Sequence, residues 1–78
     1  MLSLDEAYAM KEMVATLNKF LRESKEDDEF MFICRYYYSD YLADIATMLG
    51  ISEKTVYRTL LRMRTELKER LKKEGFDI

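Results

Sequence analysis

Seventy-eight residues with 13 basic and 15 acidic side chains, two glycines, no proline and one cysteine fit one small domain over 1–78, with a core that is sufficient but not generous. The 49 % apolar content and the shortage of turn residues favour a helical bundle and exclude a hairpin-rich sheet. Without histidine, a second cysteine, a glycine-rich phosphate loop or a nucleophile elbow, the chain is expected to be no enzyme and to need no cofactor or metal.

The first helix is expected over about 4–22. Ser3 and Glu6 stand in capping-box spacing, and Leu4, Ala7, Met10, Met13, Val14, Leu17, Phe20 and Leu21 recur at helical intervals, as residues directed at a core would. A second helix is expected over 25–38, capped by Ser24, with Glu26, Asp27, Asp28 and Glu29 crowding a first turn whose amide dipoles favour negative charge. A calcium loop would require glycine and alternating oxygen ligands, which this acidic run lacks. Cys34, set among Phe30, Ile33 and Tyr37, reads as a small buried filler in a reducing compartment rather than as a nucleophile. Tyr36, Tyr37, Tyr38 and Tyr41 could form a stacking platform for single strands. Consecutive helical positions point in different directions, however, so core and corner packing is the expectation, with the six methionines as core filler.

The third helix is expected over 42–49, with Leu42, Ile45, Ala46 and Leu49 at i, i+3, i+4 and i+7. Gly50 follows, where a left-handed residue can end a helix. Ile51 can plug the gap that follows, Ser52 can accept a bond from the free amides of the next helix, and Glu53 complements its positive end. The fourth helix then runs over 53–73. Its positions Val56, Leu60, Met63, Leu67 and Leu71 share one stripe, while Lys54, Arg58, Leu61, Arg62 and Thr65 lie broadly opposite. Ala46 where two helices nearly touch, Gly50 at the turn and Val56 ten residues after Ala46 have the interlock of a helix-turn-helix, whose second helix enters the DNA major groove.

Charge is distributed unevenly along this chain. From Ile51 to Lys73 eight basic residues face three acidic ones, a local +5, so the remaining residues carry −7 of the total −2. A sequence pI near 5.1 predicts weak DNA affinity for the isolated domain, because sequence-independent binding comes from Lys and Arg neutralising phosphates. Glu66 with Arg70, and Glu69 with Lys73, are spaced to pair along the helix surface. No apolar run approaches the roughly 20 residues of a membrane span, and the opening MLSLDEAYAM is acidic where a secretory leader would be basic. The expected location is cytoplasmic, with no membrane partner.

The stretch RYYYSDYLADIATMLGISEKTVYRTLLRMRTELKERLKKEGF resembles the C-terminal promoter-binding domain, region 4, of bacterial RNA polymerase sigma factors of the sigma-70 class, in particular the short extracytoplasmic-function type. The likeness covers about Phe30 to Phe76. It is carried by Arg35 and Tyr36, Ile45 and Ala46, the Leu49-Gly50-Ile51-Ser52 junction, Thr55 and Val56, the spaced Arg62, Arg64 and Leu67, and the closing Gly75 and Phe76. The resemblance implies an all-α, four-helix domain with a C-terminal helix-turn-helix, of the winged-helix-like DNA-binding type but without a wing. It implies double-stranded promoter DNA of the −35 type and the β flap of the RNA polymerase core as partners, with an anti-sigma factor as a further candidate. By position, Lys54, Thr55, Tyr57, Arg58 and Leu61 would face base edges, whereas Ser52, Arg62 and Arg35 would touch phosphates. Tyr41 stands where such domains usually carry a small capping residue, so Ser39 or Asp40 is expected to cap the third helix. A complete sigma factor also carries a DNA-melting region that 78 residues cannot hold, which makes this chain an excised domain or a stand-alone relative. Two other readings remain open: a stand-alone helix-turn-helix regulator of transcription, and a module that binds polymerase or an anti-sigma factor without DNA.

Overall fold

A computed structural model describes residues 2–77. It contains four helices, α1 (Leu4–Glu23), α2 (Glu26–Tyr36), α3 (Leu42–Leu49) and α4 (Glu53–Lys73), and among the described residues no strand. The fold is all-α. α4 is the axis of the molecule: α1, α2 and α3 each pack on it, and α2 also packs on α3.

The core lies where α2, α3 and the first two thirds of α4 converge. Ile45, Val56 and Met63 are its most deeply buried side chains, surrounded by Phe20, Met31, Phe32, Cys34, Ala46 and Leu60. The stripe expected on α4 is the one that packs: Val56, Leu60, Met63 and Leu71 are buried and Leu67 half-buried. Truncating a side chain such as Ile45 to alanine in a core of this kind costs about 2–5 kcal/mol.

Helix ends follow local chemistry. Ser3 accepts a bond from the Glu6 amide at 3.1 Å, the forward half of a capping box, while its hydroxyl donates to the Glu6 carboxylate. Ser24 does not cap α2. Its hydroxyl donates to the Phe20 carbonyl at 2.8 Å, so it finishes α1, and α2 starts after Lys25 with no side-chain cap. Four acidic residues in that first turn act on the exposed amides through charge instead.

α2 also stops earlier than expected. It ends at Tyr36, and the Tyr37 and Tyr38 amides both donate to the Ile33 carbonyl at 2.9 and 3.2 Å. Ser39 turns the chain with φ +58°. Neither Ser39 nor Asp40 caps α3, whose N-cap is Tyr41 with no side-chain bond. This turn throws the tyrosines outward. Tyr37, Tyr38 and Tyr41 are largely exposed, contrary to the core packing expected for them, because Phe20, Met31, Phe32 and Cys34 already fill the space beneath, whereas Tyr36, half-exposed, still lays its ring on Phe32 at 4.7 Å. Of the methionines, Met31 and Met63 are buried, whereas Met10 and Met48 are exposed; Met1 lies outside the described residues.

α1 departs furthest from expectation. Phe20 and Thr16 are buried and Leu17 and Leu21 half-buried, but Leu4, Ala7, Met10 and Val14 are exposed. The cause is length: α1 has 20 residues and α2 only 11, so α2 ends opposite the middle of α1. The other flank ends there too, where the Thr16 hydroxyl donates to the Glu74 carboxylate at the end of α4. The first half of α1 therefore extends past the bundle, and the molecule measures 44 × 26 × 19 Å.

Candidate nucleic-acid interface

The candidate surface is built by the junction between α3 and α4. Gly50 adopts φ +67°. Its amide donates to the Thr47 carbonyl at 3.3 Å and the Ile51 amide reaches back to the Ala46 carbonyl at 3.1 Å, the paired bonds of a Schellman turn. Ile51, half-buried, packs on the core that contains Ala46 and Val56. Ser52 then accepts from the Thr55 amide at 3.0 Å and its hydroxyl lies 2.8 Å from that of Thr55, so both side chains are engaged in starting α4.

Past this cap, Lys54, Tyr57, Arg58 and Leu61 are all exposed. At about 100° per residue they lie within one sector of α4, away from the buried stripe. The sector therefore offers two cations, a ring with a hydroxyl and an aliphatic side chain over two turns. Such groups can bond guanine edges and phosphates or pack on thymine methyls. Thr55 and Arg62 sit toward the other edge of the helix, on the side of α2.

Arg62 is occupied. One guanidinium nitrogen donates to Asp28 on α2 at 2.6 Å and another to Glu66 at 3.2 Å, and bonding to these carboxylates raises its pKa above the usual arginine value. It fastens the acidic first turn of α2 to α4. Arg35 is likewise tied down, donating to the Asp40 carbonyl at 2.9 Å and bracing the tyrosine loop. The helix-surface pairs expected downstream are replaced: Glu66 is held by Arg62, and Arg70 reaches Glu23 at 3.0 Å while lying over the Phe20 ring at 5.4 Å. Among the described residues no ion pair joins Glu69 to Lys73.

Arg64 was not among the sequence-predicted contacts, yet it borders the exposed sector. With Arg35, Tyr36, Leu42, Tyr57 and Leu61 it lines a shallow hollow of about 190 Å³. The signal was present in the spacing, since 57, 61, 64 and 68 are one helical stripe. Elsewhere, Cys34 is a free buried thiol whose pKa is pushed up by burial and then by Asp40, which keeps it protonated and poorly nucleophilic. Among the described residues no three acidic or thiol side chains converge as a metal site would need, and no helix is long and apolar enough to cross a membrane. Compared with known protein families, curated proteins and solved structures, the chain matches none.

Proposed function

We propose that α3, the Gly50 turn and α4 form a helix-turn-helix that reads a promoter element of the −35 type. The chain would then act in transcription initiation as a sigma-like module that also docks on RNA polymerase. The observation that carries this reading is the single exposed sector holding Lys54, Tyr57, Arg58 and Leu61 at the start of α4, immediately after a turn locked by Gly50 and with Ala46 and Val56 buried at 6 % and 0 % exposure. A reading helix must present its first turns outward while its back seals the core, and α4 does both. No catalytic, cofactor or metal role is part of the proposal.

A docking module that binds polymerase or an anti-sigma factor without DNA is favoured by one observation, the carboxylate grip on Arg62, which removes a cation from the phosphate side. Selection from random duplex DNA, with the chain fused to a second DNA anchor that raises its effective concentration, separates the two. The promoter-reading proposal expects an enriched motif, and Arg58→Ala should relax preference at one or two base pairs at a cost of about 1–3 kcal/mol. Recovery of no motif at low salt overturns it in favour of the DNA-free module.

A further inference from the structure

We propose that a second copy of this chain covers the protruding half of α1, forming a two-fold dimer in which the two α1 helices pack antiparallel. Two observations carry the proposal, area and the self-complementary shape of the seam and groove. The first is area. The chain exposes 6143 Å², whereas a compact monomer of its 9.4 kDa mass exposes about 5,000 Å². The difference, on the order of 1,000 Å², is slightly more than the roughly 800 Å² per partner of a standard stable interface.

The second is self-complementarity. Ala7, Met10, Val14, Leu17 and Leu21 are spaced as the a and d positions of two heptads. This seam runs from the uncovered half of α1 into the half that borders α2. There, Leu17 and Leu21 join Phe32, Ile33, Tyr36 and Tyr37 around an apolar groove of about 500 Å³. The free half of α1, residues 4–14, is about 15 Å long at 1.5 Å per residue, close to the length of the half that lines the groove. An axis near Val14 lets each copy place its free half in the other's groove, which closes the assembly at two. The exposed Tyr36, Tyr37 and Tyr38 at the groove edge are the amphipathic residues that such interfaces favour.

Sedimentation equilibrium of the full chain from micromolar to millimolar concentration should give twice the 9.4 kDa mass at the upper end, and a monomer throughout overturns the proposal. Val14→Asp sets two carboxylates against each other at the axis and should raise the dissociation constant at least about thirtyfold. Helicity should be retained, since Val14 is 48 % exposed in the monomer. Tyr37→Lys, at a position 79 % exposed on the far wall of the groove, should weaken the dimer as well. A dimer indifferent to both substitutions overturns the assignment. A short bismaleimide should crosslink Val14→Cys but not Leu4→Cys, with the native chain and its buried thiol as the blank. Crosslinking at Leu4 instead would mean parallel helices and would also overturn it.

Discussion

Gly50 concentrates the physics of the turn in one residue. An added Cβ there would meet nothing within 4 Å, so the cost of a substitution is purely conformational. Gly50→Ala forces a left-handed φ on a residue with a β-carbon and should lower unfolding free energy by about 1–2 kcal/mol, measured by urea titration with an unchanged m-value. A larger loss accompanied by a changed m-value would mean that the turn does more than reverse the chain. Cys34 makes a different kind of prediction. Its folded-state pKa lies above the ordinary value of 9.0 because burial, and then Asp40, disfavour the thiolate. The folded chain therefore holds the proton more tightly than the unfolded chain does. That contribution is fully present below pH 9 and disappears as pH rises through the folded value. Melting temperature should consequently fall more steeply above pH 9 in the native chain than in Cys34→Ala. Parallel curves in the two proteins would rule out the thiol as the cause.

At the scale of elements, what decided legibility was whether a side chain's role is set locally or by the length of a neighbour. The α3 and α4 ends were readable because Gly50, Ser52 and the Val56–Leu71 stripe are local signals, and the observed bounds of both helices match the spacing. The apolar half of α1 was misread as core because its periodicity cannot reveal that α2 has only 11 residues. Ser24 was misassigned because a serine between two helices can bond backward or forward, and here it bonds to Phe20. The exposed sector of α4 was largely readable from periodicity. The grip on Arg62 was not, because Asp28 lies 34 residues away in sequence. That tie yields its own prediction. Asp28→Asn should cost stability by no more than about 1 kcal/mol, as partly exposed ion pairs do, while leaving Arg62 held by Glu66 alone. A double-mutant cycle scored by DNA binding should then give Arg62→Ala a larger effect in the Asp28→Asn background than in the native one. Equal effects in both backgrounds would mean that Arg62 never meets phosphate.

For the molecule as a whole, the governing feature is separation of charge within one small body. α4 and its leading turn carry the positive excess, while the acidic first turn of α2, Glu26 to Glu29, is fastened beside it through Arg62. Those carboxylates have two opposed effects. They favour α2 by about 0.3–1 kcal/mol each through the helix dipole, and they repel a polyanion approaching α4. Neutralising three of them together, Glu26→Gln, Asp27→Asn and Glu29→Gln, leaves the Asp28 bridge intact and should move two measurements in opposite directions. Thermal stability should fall by about 1–2 kcal/mol, and affinity for duplex DNA at low salt should rise severalfold. The gain should shrink as salt increases, because at 1 M the Debye length of about 3 Å no longer lets the α2 carboxylates act on phosphates at α4. Native and neutralised chains should therefore give log-affinity lines against log salt that converge at high salt. Parallel lines would place the change in direct contact with DNA rather than in the field, and a fall in stability with no gain in affinity would count against α4 as the phosphate-facing helix.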